Sequence, residues 1–341
     1  MKIKLNAIRL NIFIILASFI FTYVSVLKAG QSDTLCIGEW NVENLFDTVH
    51  DAGKNDKEFT PKSRKQWTEK RLERKIEHLT SVLQKLNDNR GPDIFGFEEV
   101  EHKALLKRVI SGIDRNYGIV YAESPDFRGI DNGIIYDKNK FNLDGFDTLR
   151  VALGGHRTTR YILYARLITK SGDTLNIFDN HWPSRYGGQA RSVPGRVSAA
   201  QTLRTYLCKH NLWRNIIIMG DFNDEPGDPS ILYVLSAKPG LKKTIKPTDF
   251  VNLSYPLFAE GDGSLTYRWD WNMLDQIIVS QNLLTNGKIK YVKNSFHIIR
   301  FPFMVEQQGK YKGNPFRTYA GNHYLGGYSD HFPVAAKFIV E

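Results

Sequence analysis

Asn41, Glu98-Glu99, Asp179-Asn180-His181 and Gly220-Asp221-Phe222-Asn223 each stand directly after a short apolar run, and Asp275 and Asp330-His331 open two more. One such residue is an ordinary turn or cap. Six groups, all built on Asn, Asp, Glu or His, suggest a shared crevice, because strand ends on one side of a sheet face a common space. Oxygen donors dominate, and no cysteine accompanies the histidines. The set therefore suits a hard cation that keeps its waters, Mg²⁺ or Mn²⁺, better than zinc. Such a cation beside carboxylates and an imidazole polarises a phosphoryl oxygen and stabilises a leaving alkoxide.

The elements that must position these groups read as mixed α and β. Strand candidates are Leu35–Trp40, Asp93–Phe97, Ile134–Tyr136, Tyr161–Ile168, Thr174–Phe178, Ile216–Met219, Leu274–Val279 and Phe332–Val340. Several are apolar throughout, as in strands covered on both faces. Leu72, Ile76, Leu79, Leu83 and Leu86 draw one helical stripe, with Arg71, Arg74, Lys75 and Lys85 largely off it. A second helix is expected from Ala190 to His210, with Val197, Ala200, Leu203 and Leu207 on one side. No repeat or linker interrupts residues 31–341, which read as one domain. The 42% hydrophobic content supplies a core and excludes a disordered chain.

Taken together and in order, Trp40-Asn41-Val42-Glu43-Asn44-Leu45-Phe46, Asp93-Ile94-Phe95-Gly96-Phe97-Glu98-Glu99-Val100, Asn180-His181-Trp182-Pro183-Ser184-Arg185, Gly220-Asp221-Phe222-Asn223, Leu274-Asp275-Gln276 and Ser329-Asp330-His331-Phe332-Pro333-Val334 resemble the endonuclease/exonuclease/phosphatase superfamily, the DNase I-like fold. The resemblance runs from about residue 35 to 340. It implies a four-layer α/β sandwich, two packed mixed sheets flanked by helices, with the site at one edge. It further implies that Glu99 and Asn41 hold the metal, with Asp330 supporting the metal-side network. Asp221 would orient or deprotonate the attacking water, and Asn223 would bind the phosphate or lie close to the metal. His331, oriented by Asp275, would contact the scissile phosphate, and His181 would donate to a phosphate oxygen. This chain departs from the common pattern at Glu98, where glutamine often precedes the ligand glutamate; Glu98 is kept in reserve behind Glu99. Glu43 reads as a solvated loop acid.

Arginine binds phosphate with a bidentate fork. Arg160 and Arg185, beside family motifs, are expected to contact phosphate, whereas Arg157, Arg191 and Arg196 read as surface charges. Trp182, Tyr186, Trp269 and Trp271 either stack bases or pack the rim. Cys36 and Cys208 either pair or stay as two buried free thiols.

Lys2, Lys4 and Arg9 precede an apolar run from Leu10 to Leu27, the layout of a secretory signal peptide over residues 1–30, with an uncleaved anchor as the alternative. The remaining domain is expected to be exported, periplasmic or extracellular, touching a membrane only through that segment if it stays. Its removal takes away four basic residues and no acids, lowering the formal charge from +10 to +6. That excess suits a polyanion. The expected activity is hydrolysis of DNA or RNA, with a phosphatase or a phospholipid or inositol-phosphate esterase as rival and a silent binding module as a further one. No dedicated protein partner is evident.

Overall fold

Side chains that are apolar on both faces of a strand demand cover on both sides, and the architecture follows from that demand. The computed structural model describes residues 33–155, 157–241, 246–285 and 287–341; the expected signal segment lies outside them. In chain order come β1 (Asp33–Leu45), α1 (Glu69–Asn89), β2 (Ile94–Val100), α2 (Lys103–Ser111), β3 (Tyr117–Tyr121) and β4 (Asp131–Asp137). Next are β5 (Phe141–Leu149), β6 (Ile162–Thr169), β7 (Thr174–His181), α3 (Gln189–Lys209) and β8 (Ile216–Asp221). Short elements follow: β9 (Ala237–Lys238), β10 (Phe250–Asn252), α4 (Tyr255–Ala259), β11 (Leu265–Tyr267) and β12 (Asp270–Asn272). The chain closes with β13 (Asp275–Ser280), β14 (Ile289–Tyr291), β15 (His297–Ile298), β16 (Tyr319–Ala320), β17 (His323–Tyr324) and β18 (Val334–Val340).

Two sheets result, one ordered β14-β18-β1-β2-β4-β3 with β15 also on β18, the other β5-β6-β7-β8-β13-β10-β9. Both are mixed: β1 runs parallel to β2 and antiparallel to β18, while β8 runs parallel to β7 and antiparallel to β13. Their inner faces meet through Ile37, Ile94, Ile134 and Ala336 from one sheet and Leu167, Ile177, Met219 and Ile277 from the other. The α1 stripe covers the outer face of the first sheet, packing Leu72, Leu79 and Leu83 with Trp40 and Phe97. Ala200, Leu203 and Leu207 of α3 cover the second with Phe178 and Ile218. The expected four layers are therefore present. Among the described residues no helix is long and apolar enough to cross a membrane.

Two irregularities matter for the chemistry. Register between β1 and β2 shifts from Asn41 to Leu45, and between β2 and β4 from Phe97 to Val100. Glu43, Asn44 and Glu99 take φ of 51°, 58° and 66°, so each strand carries a bulge at the same edge of the sandwich. A bulge re-aims the side chains beside it.

Some charges sit where amphipathic patterning does not put them. Lys75 is buried, its ammonium donating to Thr318 Oγ1 at 2.6 Å and the Tyr328 carbonyl at 2.5 Å. Arg196 is no surface charge: it is fully buried on α3, 2.5 Å from Asp224. Val197, expected on the α3 core face, is only half-buried. Cys36 is buried and Cys208 exposed, and both are free thiols.

Candidate active site

Strand pairing brings three of the expected residues to one level of the second sheet. His181 lies opposite Asp221 across parallel β7 and β8, and Asp275 lies opposite Asp221 across antiparallel β8 and β13. Gly220 permits the close approach just before Asp221, where φ is +127° and a Cβ would stand 2.0 Å from the Asn180 carbonyl oxygen. The first sheet adds Asn41 and Glu99 from its two bulges and His331 from the segment entering β18.

Asp221 is the centre of the constellation. Its carboxylate accepts from Asn41 Nδ2 at 3.0 Å, from the Asn223 backbone N–H at 2.9 Å and from Asn223 Nδ2 at 3.2 Å, and His181 Nε2 stands 3.6 Å away. The same His181 nitrogen is 3.9 Å from Glu99 Oε1. Glu99 Oε2 accepts the Asn44 N–H at 2.9 Å, a donor that the β1 bulge supplies. His331 Nδ1 donates to Asp275 Oδ2 at 2.7 Å, and Ser264 Oγ donates to that same carboxylate. The His331 segment is pinned to the metal-side strand as well: Trp40 Nε1 donates to the His331 carbonyl at 2.9 Å, and Ser329 Oγ to the Asn41 carbonyl at 2.6 Å.

These contacts set the protonation states. Burial raises Asp221 to about 6, with Asp275 adding to the rise and His331 opposing it. For His331 burial works against the imidazolium, but Asp275, Asp330 and Asp221 outweigh it and hold the ring well above its ordinary value. His181 moves the other way, driven well below by burial and by Arg160, Arg128 and His331, so it stays a neutral ring. Burial raises Asp330, yet His331, Arg317 and Lys75 prevail and keep it an anion. One imidazolium, one neutral imidazole and an acid poised near 6 thus share a small volume, the separation of roles that general acid–base chemistry requires.

Glu99, Asn41 and Asp330 offer oxygen donors of the kind a hard divalent ion takes. Glu99 Oε1 has only long contacts, 3.5 Å to Arg128 and 3.9 Å to His181, which leaves it able to accept a cation. Another oxygen-rich group lies beside it, Asp47, Glu101 and His102, whose ligand atoms fall within 4.8 Å of one another. There both ring nitrogens of His102 already face carboxylates, Asp51 at 3.2 Å and Glu123 at 3.3 Å.

Several expectations need correction. Glu43 is not a solvated acid: it is buried and accepts the Thr318 and Tyr319 N–H groups at 2.6 and 3.1 Å, and burial lifts it to about 7. Glu98 points into the space between the sheets, not into the site. It lies there with Glu39 and Asp179, all three fully buried and all six carboxyl oxygens without a donor. Burial, reinforced for Glu39 and Glu98 by neighbouring acids, raises each well above the ordinary range, so they stand as neutral acids. In place of the expected phosphate contact, Arg185 is filled by internal partners: Asn223 O at 2.8 Å, Asn272 Oδ1 at 2.9 Å and Asp228 Oδ2 at 3.2 Å. Arg160 is buried too, donating to Trp182 O at 2.8 Å beside Asp126, but its Nε is without a partner and the charges of Glu99 and Asp221 act on it, so it belongs to the edge of the site. Trp182 is core, donating to Asn180 Oδ1, whereas Tyr186 and Trp269 are exposed and Trp271 lies under Arg300.

Two half-exposed guanidinium groups at the site are ones the motifs miss. Arg128, 41% exposed, lies 3.5 Å from Glu99, and Arg317, 42% exposed, pairs with Asp330 at 2.5 Å. Both sit in loops whose sequence carries no periodicity; only folding brings them to Glu99 and Asp330.

Residues 36–339 match the endonuclease/exonuclease/phosphatase family. No curated protein matches the sequence. Among solved structures, an endonuclease/exonuclease/phosphatase family protein from Bacteroides thetaiotaomicron is 16% identical, with a TM-score of 0.56 over 91% of this chain and 99% of its own. A mannosyl-6-phosphatase of the same organism gives 16%, 0.55, 89% and 99%. D. rerio TDP2 complexed with single strand DNA product gives 16%, 0.54, 90% and 99%. At these identities the likeness establishes the shared fold.

Proposed function

Because the chain belongs to the endonuclease/exonuclease/phosphatase family and is a metal-dependent phosphoester hydrolase, we propose that it is a nuclease that cleaves DNA or RNA phosphodiesters with Mg²⁺ or Mn²⁺. The observation that carries this reading is the pair of half-exposed guanidiniums on either side of the Asn41 strand. Arg128 stands beside Glu99 of β2, Arg317 beside Asp330 at the entry to β18, and β1 runs between. A polynucleotide continues past the scissile phosphate in both directions and meets a cation on each side; a monoester needs only one.

A divalent ion held by Glu99 and Asn41, with Asp330 nearby, would neutralise charge on the phosphoryl and leaving oxygens. The chain's own groups divide the remaining work. Asp221, oriented by Asn41 and Asn223, takes the proton of the attacking water. His331 keeps its proton and, fixed by Asp275, faces the phosphate with its other ring N–H. His181, neutral, donates from Nε2 beside Asp221 and Glu99, and Asn223 holds the base in place. We further propose that residues 1–30 direct export; N-terminal sequencing of the exported protein should then begin near Gly30 or Gln31, and an intact Met1 in the membrane fraction would favour an anchor.

The test is a panel assay of the protein with Mg²⁺ or Mn²⁺ on plasmid DNA, RNA, a phospholipid, a hexose phosphate and a simple phosphomonoester. Nucleic acid should be the preferred substrate, with activity lost in chelator and restored by the metal. kcat/KM should fall several-fold or more between about 50 and 200 mM salt, as expected for a few phosphate contacts. Faster turnover of a lipid or sugar phosphate at every salt concentration refutes the nuclease reading.

A further inference from the structure

We infer that the hairpin β11–β12 and the loop facing it form a subsite that stacks an unpaired nucleobase next to the scissile phosphate, making single strands the preferred substrate. The inference rests on the nuclease reading above and names the form of nucleic acid that reading leaves open.

The hairpin starts inside the catalytic constellation. Ser264 donates to Asp275, Leu265 is bridged to His331, and β11 then leads outward to a tip at Arg268-Trp269. Tyr267 lies two residues beyond Leu265, about 7 Å at the usual strand rise. The tip therefore lies a short way from the reacting phosphate, at the end of a short two-stranded hairpin. A cavity of about 710 Å³ opens there, and both Asp330 and Arg317 line it, so it is continuous with the site.

The lining is aromatic and cationic. Trp269 and Tyr311 lie nearly parallel, with centroids 5.6 Å apart and planes 13° apart, yet Trp269 remains 60% and Tyr311 55% exposed. Lys310 stands 5.3 and 5.6 Å from their centroids, and Arg268 lies 5.3 Å from that of Tyr267. Large flat faces left in water beside ammonium and guanidinium groups are what a base and its phosphate require.

The backbone gives an independent reason. With Tyr267 paired to Asp270, the two central residues of the turn are Arg268 and Trp269, at φ of 51° and 79°. A turn with both φ positive ordinarily carries Asn-Gly. Two bulky side chains in that conformation are strained, and such strain clusters where a side chain must be presented to a ligand. A base in a duplex is already paired and stacked, so only a single strand offers its face to these rings.

The experiment compares wild type with Trp269→Ala, Tyr311→Ala and the turn-preserving double variant Arg268→Asn/Trp269→Gly. Substrates are a single-stranded oligonucleotide, its duplex and bis(p-nitrophenyl) phosphate, with hexose phosphate as a further arm. Binding is read separately in chelator, from the fluorescence of 2-aminopurine in the oligonucleotide. The wild type should prefer the single strand and quench 2-aminopurine. Each variant should lose roughly 5- to 150-fold in kcat/KM on the single strand relative to its loss on the small ester, the range for one stacked base, and should lose the quenching. Single-strand cleavage that survives removal of either ring in folded protein, or a duplex cleaved as fast as the single strand, overturns the subsite while the nuclease reading stands. A wild type that turns over hexose phosphate but no nucleic acid overturns both.

Discussion

Replacing Asp275 with Asn keeps the shape of the side chain that holds His331 and removes its charge. The bond whose acceptor loses its charge is short and buried, His331 Nδ1 to Asp275 Oδ2 at 2.7 Å, with Asp275 fully enclosed. A hydrogen bond to a charged group contributes about 1.5–3 kcal/mol and a neutral one about 0.5–1.5, so losing the charge in the transition state should lower kcat by roughly 5- to 15-fold. A second loss depends on pH. Asp275 foremost among the acids holds the His331 imidazolium above its ordinary value against the opposing effect of burial. Without that charge the pKa of the ring falls, because burial still opposes the proton and only Asp330 and Asp221 remain to favour it. The variant therefore loses its imidazolium at a lower pH than wild type does, so its protonated fraction falls first as pH rises. The wild-type-to-variant ratio should therefore grow steeply with rising pH. The assay is a pH profile of kcat and kcat/KM on one nucleic-acid substrate, with circular dichroism to establish that the variant folds. A ratio that stays flat from pH 6 to 8 in folded protein would show that His331 does not act as the imidazolium.

Asp221→Ala should lower turnover by roughly 10²-fold or more with the fold intact. In the wild type the acid limb should fall as pH drops through about 6, because Asp221 must lose its proton to act, and the limb should move lower as metal concentration rises. Arg128→Ala should weaken substrate binding and flatten its salt dependence, whereas Arg185→Ala should chiefly lower the melting temperature, because Arg185 joins Asn223, Asp228 and Asn272. The turn variant Arg268→Asn/Trp269→Gly should raise stability by about 1–3 kcal/mol in denaturant titration, by relieving left-handed side chains; a lower midpoint would mean the turn carries no strain.

The catalytic edge was readable because its residues are small polar side chains at the ends of apolar runs, and a run marks a strand whatever it packs against. Asp221, His181 and Asp275 needed only the pairing of β7, β8 and β13 to meet. What was not readable depends on partners distant in sequence. Arg196 looks like a surface charge until Asp224 is found against it, and Glu43 looks solvated until the Thr318 and Tyr319 amides close on it. Glu98 shares the inward face of Ile94 and Gly96 by plain alternation, and it is the turn of Glu99 toward the crevice, through a bulge at φ 66°, that leaves no mark in composition. β5 was missed for a different reason. It is the edge of its sheet, mostly exposed between Phe141 and Leu149, and polar residues there hide the strand.

The paired bulges in β1 and β2 also make the chemistry depend on counting. Past each bulge the surplus, two residues in β1 against β2 and one in β2 against β4, fixes which side chains turn toward the crevice and which toward the core. Deleting a single residue between Asn41 and Leu45 would turn over the β1 side chains beyond it, and deleting one between Phe97 and Val100 would regularise the β2–β4 ladder at the cost of Glu98 or Glu99 itself. With one glutamate left in β2, either the crevice or the space between the sheets would lose its carboxyl. Substitutions in this stretch are local injuries, whereas a deletion is a frameshift of the fold itself. Homologues of this chain should therefore vary in loop length almost anywhere before they vary here.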